Sequence, residues 1–353
     1  MKQGLRTALL FGALLGFGFG NLSNAATDTK KTQQVEKKKP DAKRTASKKT
    51  SSKTAAKTEK SSAGKSTKYA AKKTSKKSGA SAAQSVKSVR KLSLADVDPA
   101  HLALYSASAL VIDQETGKAL LDKQSSEVVP IASISKLMTA MVVLDAKPDM
   151  NEVIEIGDED VDRHKGTRSR LPVGATMTRE TAMLLALMSS ENRAANSLGR
   201  HYPGGMPAFV KAMNAKAHAL GMNNSSFEEP TGLSSNNVST ARDLARMVAA
   251  AARYPEIRQF STTEEAKVDL NGHIREFRNT NALVRSDNWE IGVSKTGYIA
   301  EAGRCLVMQA RLADKPVVIV LLDSTGKMTR VGDANRIKRW MESASLAADR
   351  HPV

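Results

Sequence analysis

The sequence has one cysteine, Cys305, so it can form neither a disulfide framework nor a cysteine-ligated zinc site. Its six histidines stand singly, with no His-Glu-x-x-His or paired spacing, which argues against a zinc hydrolase. No metal and no cofactor are expected. Beyond the N-terminus no apolar run reaches the roughly 18 residues that a membrane span needs. What is present is ample core material: 41% of the 353 residues are hydrophobic.

Charge is distributed very unevenly. The formal net charge is +18, from 54 Lys and Arg against 36 Asp and Glu. Residues 1–25 hold two basic residues and no acids, and residues 26–91 hold 21 basic and 4 acidic. The remaining 92–353 then have 31 basic and 32 acidic, a net of −1. The basic character therefore belongs to one segment and says nothing about the rest.

Lys2 and Arg6 precede an apolar stretch from Ala8 to Gly20, and Ser23-Asn24-Ala25 follows. That order reads as a secretory signal peptide over 1–25, cleaved near Ala25, and predicts a periplasmic protein. Residues 26–91 are nearly all Lys, Ser, Thr and Ala and cannot bury enough surface to offset the entropy of ordering, so a disordered basic linker is expected. Its lysine runs could neutralise phosphates, but export argues against nucleic acid. An anionic envelope surface is the expected partner, and a solvated tether serves equally well.

Residues 92–353 read as the folded part. Residues 107–112 predict a strand, 113–118 a turn and 119–122 a returning strand. Residues 133–144 carry a helical apolar pattern, as do 179–189, 206–219 and 240–252. Residues 303–311 and 316–322 predict two buried strands, and 332–347 a last helix. Strands at both ends around a helical block imply an α+β domain. One sheet is completed by both ends of the chain, with an all-helical lobe inserted over about 150–255.

Three short motifs carry chemistry. In Ser133-Ile134-Ser135-Lys136, residues three apart share a helical face, so hydroxyl and amine can meet. A serine needs a base, and lysine serves only if desolvation or a nearby cation lowers its pKa from about 10.4. The apolar flank of Ile131, Ala132, Ile134, Leu137 and Met138 suits that setting. Ser190-Glu191-Asn192 sets a hydroxyl and an amide two residues apart in a loop. In Lys295-Thr296-Gly297 a cation and a hydroxyl suit a carboxylate, and the glycine leaves room for a substrate along a strand edge. Each motif alone is common: a solvated lysine, a polar helix terminus, a turn glycine.

Together they resemble the Ser-x-x-Lys, Ser-x-Asn, Lys-Thr-Gly set of the penicillin-binding proteins and serine β-lactamases. Further stretches are similar to the low-molecular-mass D-alanyl-D-alanine carboxypeptidases and endopeptidases. They include Ile131 to Thr139, Leu187 to Ala195, Thr231-Gly232-Leu233, Ser239 to Ala245, Asn279 to Leu283 and Ser294 to Leu306. The resemblance covers about 100–342. It implies a β-lactamase/transpeptidase-like fold, an antiparallel sheet flanked by terminal helices. It also implies Ser133 as nucleophile, Lys136 as base, and Ser190 and Asn192 in proton transfer and substrate positioning. Lys295, Thr296 and Gly297 would receive the substrate carboxylate, and the backbone N–H groups of Ser133 and Tyr298 would form an oxyanion hole. The implied partners are peptidoglycan stem peptides and crosslinks, with β-lactam antibiotics as covalent inhibitors.

Some residues depart from the pattern. Glu191 stands where many carboxypeptidases have Gly and is expected to place a carboxylate at the cleft rim. Tyr298-Ile299 replaces a more polar pair. The chain ends at Val353, soon after the last helix, which resembles the shorter DD-endopeptidase branch. Residues 163–170 are expected to add cations near the cleft. Two alternatives stay open: a serine β-lactamase, with Glu228 or Glu229 as deacylating base, and a wall- or nucleic-acid-binding module acting through 26–91.

Overall fold

The computed structural model describes residues 98–99 and 102–350, so the signal-peptide and basic-linker readings lie outside the described residues. In chain order the domain begins with β1 (Ser106–Asp113) and β2 (Ala119–Lys123), then the two-residue β3 (Val129–Pro130). Next come α1 (Ser135–Asp145), β4 (Val153–Glu155), β5 (Thr176–Thr178), α2 (Arg179–Met188), α3 (Asn192–Arg200) and α4 (Gly205–Ala219). After the short β6 (Val238–Ser239) follow α5 (Ala241–Ala251), α6 (Pro255–Thr262) and the hairpin β7 (Glu265–Leu270) and β8 (His273–Arg278). The chain finishes with β9 (Glu290–Ile299), β10 (Gly303–Leu312), β11 (Lys315–Ser324) and α7 (Thr329–Arg350).

Five strands form an antiparallel sheet in the order β2-β1-β11-β10-β9, so strands from both ends of the domain pair directly. Apolar residues fill both faces of the central strands. Ala109, Val111, Val317, Ile319 and Leu321 lie in a core with Ile337 and Trp340 of α7. Leu110, Val318, Val320 and Leu322 belong to the larger core shared with the helical block. Two covered faces explain why β11 reads as a continuous apolar run rather than an alternation. A strand covered on one side only would alternate.

The β10–β11 connection is the two-residue turn Ala313-Asp314, both at positive φ, which matches the twist of an antiparallel hairpin. β9 closes the order and leaves its outer edge unpaired by strands. Two helices start on threonine caps: the Thr178 side chain accepts from the Thr181 N–H, and Thr240 from that of Asp243. Helix α1 buries every residue from Ser135 to Val143, so it has no polar stripe and forms the axis of the larger core. Among the described residues no helix is long and apolar enough to cross a membrane.

Candidate active site

The helix expected to carry Ser133 begins differently from its sequence reading. Ser133 lies in a single 3-10 turn, Ala132–Ile134, and α1 starts only at Ser135. Ala132 holds a left-handed φ of 50°, a conformation that non-glycine residues adopt only where surrounding structure enforces it. Two glycines do the enforcing. A Cβ on Gly232 (φ 80°) would collide with the Ala132 carbonyl, and one on Gly297 would sit 2.9 Å from the Ile131 oxygen and 3.2 Å from Ser133 N. Gly297 therefore does more than clear a strand edge: it lets β9 approach the turn that carries Ser133.

Lys136 is fully buried, and its Nζ is 2.9 Å from Ser133 Oγ, 2.7 Å from Asn192 Oδ1 and 2.6 Å from the Thr231 carbonyl. Burial lowers its pKa to about 7, against the opposing pull of the Glu229 and Glu191 carboxylates. A neutral amine has two hydrogens, which suit the two carbonyl-type acceptors, and one lone pair, which then faces the Ser133 hydroxyl.

The second motif joins α2 to α3. Ser190 adopts φ 62°, and its Oγ accepts from Lys295 Nζ at 2.9 Å. Asn192 opens α3 and reaches Lys136. Lys295 is buried, and burial together with the positive charges of Lys136 and Arg330 lowers its pKa well below the ordinary value. The Thr296 hydroxyl donates to Thr280 Oγ1 at 2.6 Å. Tyr298 is exposed, with the Arg304 guanidinium 4.3 Å over its ring.

Ser133, Lys136, Ser190, Asn192, Lys295 and Gly297 thus meet at one place, between the helical block and the β9 edge. Beside them, sharing Asn192 and Thr231, opens a cavity of about 700 Å³ walled by residues 159–165 and 228–236. Arg163, His164 and Lys165 line it, as the basic loop leads one to expect, together with the acidic Glu159, Asp160, Asp162, Glu228 and Glu229.

One expectation is corrected. Glu191 is not at the cleft rim: its side chain is 6% exposed and turned away, bonded to Ser169 Oγ at 2.6 Å and Arg170 Nε at 2.8 Å. A hydrogen-bonded ion pair is what makes that burial tolerable. The carboxylate oxygens of Glu229 accept from the N–H groups of Thr231 and Gly232, which commits them to shaping that loop. Glu228 is bonded to Ser234 and Asn236. Sequence reasoning missed the Thr231 carbonyl, Thr280 and Arg330, whose Nη1 donates to the Gly297 carbonyl at 3.3 Å. Thr231-Gly232 was visible as a turn signal, but a backbone acceptor leaves no mark in residue type.

A family model described as D-alanyl-D-alanine carboxypeptidase matches residues 95–326. A D-alanyl-D-alanine endopeptidase of Pseudomonas aeruginosa is 52% identical over 252 residues, 71% of this chain and 81% of that protein. One of Escherichia coli is 49% identical over 245 residues, 69% of this chain and 79% of that protein. The crystal structure of the Streptomyces K15 DD-transpeptidase superposes with a TM-score of 0.63 at 26% identity, covering 69% of this chain and 98% of that one. Penicillin-binding protein D2 of Listeria monocytogenes, in its cefotaxime-bound form, gives 0.60 at 27% identity, with 69% and 98% covered. The fold is that of the penicillin-binding DD-peptidases, and the chain belongs to the D-alanyl-D-alanine carboxypeptidase family.

Proposed function

We propose that this protein is a periplasmic acyl-serine DD-peptidase that cuts D-Ala–diaminopimelate crosslinks in peptidoglycan and also releases terminal D-Ala. The observation that carries the reading is the convergence of Ser133, a buried Lys136 with a lowered pKa, Ser190 and Lys295 around one crevice. Ser133 Oγ attacks the D-Ala carbonyl while its proton passes to Lys136 Nζ. The backbone N–H groups of Ser133 and Tyr298 receive the developing oxyanion. The C–N bond then breaks, and Ser190 relays the proton to the leaving amine. Water attacks the acyl-enzyme, loses a proton to the same base, and frees Ser133.

Either leaving group carries a carboxylate beside its nitrogen, which Lys295 and Thr296 receive. The preference for crosslinks rests on the two endopeptidase relatives. Penicillins acylate the same serine. Residues 1–25 export the chain, and 26–91 hold it near an anionic envelope surface.

The test is incubation of wild type and Ser133→Ala with purified crosslinked muropeptides, identifying products by mass. Monomers from the wild type and none from the variant are expected, with fluorescent penicillin labelling lost in parallel. Hydrolysis by the variant would mean another nucleophile, and rapid turnover of penicillin would favour a β-lactamase.

A further inference from the structure

Glu191 lies between the two residues of its motif that face the crevice, yet its own side chain holds something else. Ser169 and Arg170 bind its carboxylate, and the Arg170 guanidinium lies 4.4 Å over the Phe277 ring of β8. These contacts fasten one end of the segment 162–170. At the other end the Asp162 carboxylate accepts from the N–H groups of His164, Lys165 and Thr167, making a tight turn. Between the two ends, Thr167 Oγ1 accepts from Asn192 Nδ2 at 3.2 Å, and Lys165 pairs with Glu301 just beyond β9. The segment therefore straps the helical block to the sheet edge and carries Arg163, His164 and Lys165 along the cavity wall.

The strap also orients the site. An amide has two chemically different ends, and only its oxygen can accept from Lys136. Thr167 takes the Nδ2 end of Asn192 and so turns Oδ1 toward Lys136 Nζ. The neighbouring Ser190 backbone is left-handed, which persists only if its surroundings hold it.

We propose that Glu191 is a positioning and specificity residue for the peptidase reaction: its buried ion pair holds the 162–170 strap in place as the wall of mixed charge against which the second peptide of a crosslinked substrate lies. This rests on the DD-peptidase reading above. A penicillin is small and uses the crevice, including the oriented Asn192, but not the wall, so the additional loss on the dimer reports the wall.

The test compares full-length Glu191→Gly, Glu191→Gln and Arg170→Ala with wild type. It measures steady-state hydrolysis of a crosslinked muropeptide dimer and the rate of acylation by fluorescent penicillin. KM for the dimer is expected to rise about tenfold in Glu191→Gly and Arg170→Ala, with kcat and penicillin acylation falling far less. The double variant should be no worse than either single one, because the two residues act as one unit. Glu191→Gln, which keeps an acceptor for Ser169, should fall between. Arg170 is 43% exposed, so its variant keeps the test open should Glu191→Gly fail to fold. An unchanged KM in Arg170→Ala would overturn the proposal, as would an equal loss on dimer and penicillin. A wild type that neither cleaves dimer nor takes penicillin would instead sink the peptidase reading itself.

Discussion

Lys136 Nζ lies 2.9 Å from Ser133 Oγ while Asn192 Oδ1 and the Thr231 carbonyl occupy its other hydrogen-bonding directions. The amine is thus aimed at the Ser133 hydroxyl by two fixed acceptors, and its protonation state decides whether it can act as the proposed base. Burial brings its pKa to about 7, Glu229 and Glu191 opposing, and its positive charge in turn helps to lower the pKa of the buried Lys295. Protonated below that value, Lys136 has no lone pair to offer. Penicillin acylation should therefore rise with pH through an apparent pKa near 7 and level off above it. Lys136→Arg, which stays charged, should lose at least about 10³-fold at every pH. A rate that does not vary between pH 5 and 9 would contradict this assignment.

Ser190 allows its hydroxyl to be separated from its backbone. At φ 62° glycine is conformationally at ease, whereas alanine costs about 1 kcal/mol. Ser190→Gly should therefore keep the melting temperature and lose about 10²-fold in kcat, the usual scale for a proton relay. Ser190→Ala keeps the left-handed backbone cost that the wild-type serine already bears, so it too should lose activity, without the backbone relief that glycine gives. Comparing thermal melts with turnover of a D-Ala-D-Ala peptide decides it, and full activity in Ser190→Gly would remove the hydroxyl from the mechanism.

Gly232 should tolerate nothing larger. A Cβ there would collide with the Ala132 carbonyl and come within 2.8 Å of Ser133 N, and its φ of 80° adds backbone strain. Backbone atoms cannot step aside as a flexible side chain can. Gly232→Ala should cost about 3 kcal/mol in urea unfolding and displace the nucleophile enough to abolish penicillin labelling. Gly166, which has open space around it, is the control: Gly166→Ala pays only for its positive φ.

Much of the domain was legible because its strongest elements carry their own signal. The apolar runs of β1, β10 and β11, the Leu- and Met-rich pattern of α1 and the caps of α2 and α5 are all local features. What escaped had weak local signals. β9 reads Glu-Ile-Gly-Val-Ser-Lys-Thr-Gly-Tyr-Ile, in which two glycines and polar residues interrupt the β-forming ones, and is fixed by pairing with β10. α3 contains Asn, Ser and Gly and is held by burying Ala194, Ala195 and Leu198. The β7–β8 hairpin was also missed, although its turn Asn271-Gly272, both at positive φ, is a local signal. At the site the motifs gave the residues, but not the partner of Glu191: Ser169 and Arg170 are over 20 positions away and only folding brings them together.

The buried base should also leave a thermodynamic trace that activity measurements do not contain. In the unfolded chain Lys136 titrates near 10.4, and in the folded domain near 7. Between those values the unfolded state binds the extra proton, so stability rises with pH, by up to about 1.4 kcal/mol per unit from this group. Below about pH 7 both states are protonated, and the cost of burying the charge is present in full. Lys136→Met removes the titration while keeping an unbranched side chain in the same space. Its stability relative to wild type should be greatest near pH 6.5 and shrink steadily toward pH 9.5, as read from urea unfolding at several pH values. Lys295 is present in both proteins, but the Lys136 charge helps to lower its pKa, so the difference reports Lys136 together with its coupling to Lys295. Parallel stability curves would mean that Lys136 keeps an ordinary pKa, and a lysine still charged at neutral pH could not take the serine's proton.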